Sequence, residues 1–222
     1  MSNNKIVRLP ASEQIPTIMK ELQTAVDTLK EMGAGVSVFG SARIKPGHPY
    51  YELAQELGRR LAEAGVTLIA GGGPGLMEAA NKGAYEAGGQ SIGLNIRLPH
   101  ETTNNPYQTQ SLQFEYFYSR KATFFMHSWA YIALPGGFGT LDELFEVMTL
   151  VQTGKVPPAP IVLIGTSFWS GLIEWIGDQL MELGLIGPKD LNLLGLTDDL
   201  DEVMSYINQC CVLPRAEPAL PQ

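Results

Sequence analysis

The first ordered signal along the chain is helical. Ile15, Ile18, Met19, Leu22, Val26 and Leu29 recur at intervals of three and four, placing them on one face of an amphipathic helix. That pattern covers residues 12–34 and stops at Gly33-Ala34-Gly35. Beyond it, short and continuous apolar runs alternate with amphipathic stretches. Strands are predicted at 36–39, 66–70, 90–96, 129–134 and 161–164. Helices are predicted at 50–64, 76–87, 114–127, 140–152, 168–183 and 198–210, and a Pro- and Asn-rich connection at 98–107. Strands that are apolar throughout belong to a parallel sheet covered on both faces. The expected fold is therefore α/β: a Rossmann-like three-layer sandwich with a mostly parallel sheet. It reads as one domain over 1–222, with an N-terminal helix at 12–34 and a core at 35–210. A mobile tail is expected at 212–222, where Pro214, Pro218 and Pro221 fall.

Composition narrows the function classes. The chain has 222 residues, 45% hydrophobic and 17% charged, enough to bury about 70% of the unfolded surface without a disulfide or metal staple. Its net charge of −8 argues against a generic nucleic-acid coat, which carries a basic footprint. Cys210 and Cys211 are adjacent, a spacing that rarely meets disulfide geometry and matches no ligand pattern. They read as thiols of a reducing compartment. The first residues, MSNNKIVRLP, lack an apolar signal-peptide core. A long uncharged stretch, 156–173, is broken by Pro157, Pro158 and Pro160 and reads as strand, loop and helix start. A cytoplasmic location is expected, with no membrane and no nucleic acid as partner.

Glycine is in excess, at 24 residues, about 11% against a usual value of about 7%. Three segments leave predicted strands with small residues: Gly40-Ser41-Ala42-Arg43, Gly71-Gly72-Gly73-Pro74-Gly75 and Pro135-Gly136-Gly137-Phe138-Gly139-Thr140. Backbone N–H groups at such a helix entrance suit an anion, above all a phosphate. Thr140 is placed either to cap the helix or to add a donor to the phosphate. The structural alternative is that such a loop merely closes a tight turn. Neither glycine loop fits G-x-G-x-x-G, because the last position falls on Leu76, Glu78 or Asp142, and no Walker loop exists. A single phosphate suits these loops better than a dinucleotide.

Asp142, Glu143 and Glu146 follow the last glycine loop. Glu143 and Glu146 are three apart and are expected to share a face, with Asp142 pointing elsewhere. Acidic residues in a first turn also simply complement the helix dipole. Glu143, one turn in from Thr140, is placed to activate water or to stabilise a cationic sugar transition state. Arg120 and Lys121 sit in the aromatic stretch YFYSRKATFF. Charges among so many apolar residues need an anionic partner, either a buried carboxylate or a ligand. Phe114, Tyr116, Phe117, Phe124 and Phe125 read as core or subunit interface. His48, His100 and His127 show no metal spacing.

Three motifs together, GGGPGLMEAANKGA (71–84), SRK (119–121) and PGGFGTLDE (135–143), resemble the LOG family of cytokinin riboside 5′-monophosphate phosphoribohydrolases. The resemblance spans roughly 36–183. It implies hydrolysis of the N-glycosidic bond of a nucleoside 5′-monophosphate to free base and ribose 5-phosphate, with no cofactor and no metal. By motif, Arg120 and Glu143 are the implied catalytic pair. Lys121, Gly136, Gly137, Gly139 and Thr140 are implied phosphate and ribose contacts. Ser41, Gly72, Gly73 and Met77 are placed along the site, and Glu101 at a position that can touch substrate. A homodimer or higher homo-oligomer is implied, with the site near the interface. Plant-type members carry M-H-x-R-K and G-G-G-S-x-G-L-M; here Tyr118-Ser119 precede Arg120-Lys121 and Pro74 shortens the loop. These departures resemble the bacterial branch and make AMP an expected substrate beside the cytokinin nucleotide. The alternative is a non-catalytic nucleotide-binding or sensing protein of the same fold.

Overall fold

The computed structural model describes residues 10–33, 35–98 and 104–212. Seven strands form one sheet: β1 (Gly35–Phe39), β2 (Thr67–Ala70), β3 (Ser91–Ile96), β4 (Gln110–Phe114), β5 (Ser128–Ala133), β6 (Ile161–Ile164) and β7 (Leu194–Thr197). Their order is β4-β3-β2-β1-β5-β6-β7, and every pairing is parallel. The chain winds outward from β1 to β4, returns beside β1 as β5, and winds outward again to β7.

Helices cover both faces, as the continuous apolar strands require. On one side pack α2 (Pro49–Glu63), α3 (Leu76–Glu86) and α8 (Leu200–Ile207). On the other pack α1 (Ala11–Leu29), α4 (Phe117–His127), α5 (Phe138–Gln152) and α6 (Thr166–Trp175). Successive residues of β5 divide between the two cores: Ala130 and Ile132 face α2 and α3, while Tyr131 and Ala133 face α4 and α5. Burying each such Leu, Ile or Val side chain contributes about 1.5–3 kcal/mol. The short α7 (Pro188–Leu191) precedes β7. Helices α2 and α3 touch backbone to backbone, since a Cβ on Gly83 would lie 1.8 Å from the Gln55 carbonyl oxygen and one on Gly58 2.1 Å from that of Ala80.

The structure departs from the sequence pattern at the sheet edges. Phe114 ends β4, so the helix expected from 114 begins at Phe117. β4 buries only Leu112 and Phe114 of its five residues, and β7 is half-exposed. An edge strand with one wet side loses the continuous apolar run that marks a central one. The first helix ends at Leu29, short of 34. The helix expected over 168–183 starts at Thr166, because Asp198 accepts hydrogen bonds from the N–H groups of Gly165 (2.8 Å) and Thr166 (2.9 Å) and from the Thr166 hydroxyl. Past Trp175 it continues as a π-helical segment, Ile176–Met181. The last helix has Asp199 as its N-cap and passes into a second π-helical segment, Asn208–Val212. Cys210 and Cys211 lie there as half-buried thiols with their sulfurs 3.2 Å apart. The tail expected to be mobile lies, from residue 213 on, outside the described residues. Among the described residues no helix is long and apolar enough to cross a membrane.

Candidate active site

β1 and β5 are neighbours, and the chain leaves them toward opposite halves of the sheet. Parallel sheets leave a crevice beyond the strand ends at such a switch point. Here it is a cavity of about 700 Å³, walled by the segments leaving β1, β2 and β3 and by α4 and α5. Of the residues singled out from sequence, Ser41, Gly73, Met77, Arg120, Gly137, Gly139, Thr140 and Glu143 line it together. Gly72, Gly136 and Lys121 do not, and Glu101 lies outside the described residues, as does His100.

Arg120 and Glu143 form the cavity's charged floor. Arg120 Nη1 donates to Glu143 Oε1 at 3.2 Å, with the two side chains 7% and 11% exposed. The guanidinium is held from three further sides. Its Nε donates to the Leu94 carbonyl (2.6 Å), its Nη2 to the Gly71 carbonyl (3.4 Å), and it lies 5.3 Å from the centre of the Phe124 ring. A buried carboxylate and a ligand-facing position were alternatives for Arg120; the structure supplies both at once. Burial raises the Glu143 carboxyl above its ordinary value, and Asp142 adds to the rise. Arg120 and Lys121 act in the opposite direction without cancelling it.

Alternate residues of the SRK motif face different ways. The Ser119 hydroxyl donates to Glu21 of α1. Arg120 turns inward. Lys121 reaches α5 and pairs with Asp142 (2.9 Å) and Glu146 (2.5 Å), away from the cavity. Burial alone would lower the Lys121 amine, but these two carboxylates outweigh it and hold the amine above its ordinary value. Asp142 and Glu146, four apart, therefore share the outer face of α5, while Glu143 points in. This corrects the expected pairing of Glu143 with Glu146: the i, i+4 spacing brings two carboxylates to one lysine.

α5 begins with Gly137 as its N-cap, and no side chain caps it. Thr140 lies within the first turn of the helix, buried, so it is not the cap. A Cβ on Gly137 or Gly139 would meet nothing within 4 Å, so the loop is open toward the cavity. On Gly136 a Cβ would lie 2.1 Å from Thr140 Oγ1, which explains that glycine by packing. Gly72 is likewise explained by packing: its φ is +74°, and a Cβ would lie 2.0 Å from Asn95 Oδ1.

Arg43, Asn95, Asn104, Phe117 and Phe138 also line the cavity, although sequence reasoning did not name them among the site residues. Arg43 belongs to a loop already singled out, so its signal was present. Phe138 is 92% exposed and Phe117 47%, so Phe117 lies at the cavity mouth and not in the core. Nothing in a polar loop or strand end distinguishes Asn95 or Asn104 beforehand. His48 N-caps α2 by accepting from the Tyr50 N–H at 3.1 Å, and His127 Nδ1 lies 2.9 Å from the Thr123 carbonyl. Among the described residues no cluster of His, Cys, Asp or Glu could hold a metal ion.

Comparisons with known proteins show the family of the chain. A family model described as "Possible lysine decarboxylase" matches residues 77–207. The cytokinin riboside 5′-monophosphate phosphoribohydrolase LOG3 of Arabidopsis thaliana is 34% identical over 164 residues, covering 72% of this chain and 75% of its own. LOG1 of the same plant, which bears the same enzyme name, is 31% identical, covering 76% of this chain and 78% of its own. Among solved structures, the X-ray structure of TM1055 has a TM-score of 0.60 and 25% identity over 79% of this chain and 99% of that one. The molybdenum cofactor carrier protein of Chlamydomonas reinhardtii shares the fold, with a TM-score of 0.61 and 24% identity over 80% of this chain and 97% of its own. With a family model covering more than half its length and relatives above 30% identity, the chain belongs to the LOG family.

Proposed function

We propose that this protein hydrolyses the N-glycosidic bond of a nucleoside 5′-monophosphate, giving a free base and ribose 5-phosphate. The observation that carries the reading is the buried Arg120–Glu143 pair beside the uncapped, open entrance of α5 in one cavity. The relatives' name, phosphoribohydrolase, supports the same chemistry. N–H groups at the start of α5, next to Gly137 and Gly139, take the 5′-phosphate, where the helix dipole favours an anion. That anchor sets the ribose over Glu143.

The Glu143 carboxylate then accepts a proton from water as the water oxygen bonds to C1′. The C1′–N bond breaks, and the base departs with the bonding pair and takes up a proton. While positive charge develops on the sugar, the same carboxylate stabilises it. Arg120 favours the ionised form of Glu143 and orients it through their 3.2 Å contact. No lysine lines the cavity among the described residues, which leaves a Schiff-base decarboxylation without its amine.

Both AMP and a cytokinin riboside monophosphate fit this scheme, because the chemistry is confined to the phosphate, the ribose and C1′. The experiment is incubation with AMP, with isopentenyl-AMP and with adenosine, followed by chromatography of the free base. Base release from one or both nucleotides but not from adenosine is expected. Tight nucleotide binding without base release would instead mark a sensing protein. We further propose a second copy of the chain as partner, supported by the exposed Phe117, Tyr118 and Met126 of α4 beside the cavity; light scattering in solution reads the assembly directly.

A further inference from the structure

Arg120 is aimed at Glu143 by two backbone carbonyls, those of Leu94 in β3 and Gly71 after β2. Each is one residue away from a group bound by the same side chain. Gln108 Nε2 donates to the Gly72 carbonyl at 3.0 Å, the neighbour of Gly71. The Gln108 carboxamide also pairs with that of Asn95, the neighbour of Leu94: Asn95 Nδ2 donates to Gln108 Oε1 at 3.0 Å and Gln108 Nε2 to Asn95 Oδ1 at 3.3 Å. Gln108 thus spans the ends of β2 and β3.

The sequence makes room for this contact in two places. A Cβ on Gly93 would lie 2.0 Å from Gln108 Oε1, and a Cβ on Gly72 would lie 2.0 Å from Asn95 Oδ1. Asn105 reinforces the same loop. Its N–H donates to the Gly72 carbonyl at 2.8 Å, and its Nδ2 donates to the Gly73 carbonyl at 3.0 Å and to Asn81 Oδ1 at 3.0 Å. Gln108 itself does not line the cavity, so it acts through its neighbours.

We propose that Gln108 is a positioning residue for the reaction: by bridging Gly72 and Asn95 it fixes the two carbonyls that aim Arg120 at Glu143. The proposal rests on the proposed hydrolysis for its kinetic consequence, and on geometry alone for its structural one. Glu143 is faced by Arg120 and Lys121 from α4 and by Asp142 from its own helix. Of these, Arg120 is in direct contact. When Arg120 is less firmly held, Glu143 loses part of the cation that favours its ionised form, and its titration moves to higher pH.

The test is Gln108→Met, which keeps the volume over Gly93 and removes the hydrogen bonds. It has two readouts. The first is the Cδ chemical-shift titration of Glu143, identified by the loss of its signal in Glu143→Gln, which needs no turnover. The midpoint is expected to rise in Gln108→Met. The second is kinetics with AMP: kcat is expected to fall about 10- to 100-fold, the cost of a small misplacement of a catalytic group, with KM within about 2-fold and the acid limb of kcat moved upward. If wild type releases no base but the midpoint still rises in the variant, the hydrolase reading falls and the positioning role stands. If wild type releases base and the variant matches it in midpoint and kcat, the positioning role is overturned. Should Gln108→Met fail to fold, Gln108→Glu keeps the shape and loses the donor to the Gly72 carbonyl. The same two shifts are expected of it, and their absence overturns the proposal.

Discussion

The two glycine loops look alike in sequence and behave differently in the structure. Both follow a strand and open a helix. At the loop of residues 71–75, Gly71, Gly72 and Gly75 are closely packed against the protein itself, although Gly73 borders the cavity. A Cβ on Gly71 would meet Met77 Sδ at 2.3 Å and Arg120 Nη2 at 2.4 Å, one on Gly72 would meet Asn95, and one on Gly75 would meet the Ser41 carbonyl oxygen at 2.4 Å. The first N–H of α3, that of Leu76, donates to the same Ser41 carbonyl. At the loop of residues 135–139, Gly137 and Gly139 face open space and no side chain caps α5. Glycine serves close packing in the first loop and backbone access in the second. A loop rich in glycine is not by itself an anion site; what already fills it decides.

This difference can be broken from either side. The largest stability effect is expected from Gly72→Ala. It combines a positive φ with an overlap on Asn95, together costing about 2–4 kcal/mol, or roughly 5–15 °C in Tm for a domain of this size. Differential scanning calorimetry reads it. Gly137→Ala is the counterpart in the open loop. Its φ is −95° and its surroundings are empty, so stability is expected to stay within about 0.5 kcal/mol. The added methyl group stands where the phosphate is proposed to bind, so KM for AMP should rise about 10-fold, equivalent to about 1.4 kcal/mol. Equal effects of the two substitutions on Tm would erase the distinction between the loops.

Glu143 gives a smaller effect with a definite sign. Burial holds its carboxyl above the ordinary range in the folded state, so the native protein binds that proton more tightly than the unfolded chain does. The stability this supplies is complete below the ordinary carboxylate range and is lost as pH rises through the raised value. Thermal unfolding of Glu143→Gln measured against wild type is therefore expected to improve in the variant's favour as pH rises above the ordinary carboxylate range. A gap independent of pH would contradict the assignment. The smallest effect belongs to Lys121→Ala. It removes a contact to two partly exposed carboxylates off the cavity, so a loss of about 0.2–1 kcal/mol in stability is expected, with base release kept within about 2-fold of wild type.

The central strands were legible because each is apolar on both faces, and β1, β2, β5 and β6 appear within two residues of where the pattern puts them. β4 and β7 were hidden because edge strands show half of that signal. Arg120 and Glu143 were legible for a related reason. A charge inside an aromatic stretch, and a carboxylate one turn beyond a glycine loop, both conflict with their local surroundings unless they meet. The outward turn of Lys121 was not legible, because adjacent residues on a helix diverge by about 100° and only the packing of α4 on α5 decides which one enters the site. Nor were Asn95, Asn105 and Gln108. Polar residues in a polar connection carry no pattern, and their role exists only once β2, β3 and the connection come together in space.

The most direct measurement is the rate of free-base release from AMP or isopentenyl-AMP by wild type and Glu143→Gln, at matched concentration and confirmed folding. Wild type is expected to release base and ribose 5-phosphate in equal amounts, and the variant to be slower by about 10²–10⁴-fold. Equal rates in the two proteins, or no base from wild type with either nucleotide, would contradict an N-glycosidase centred on Glu143.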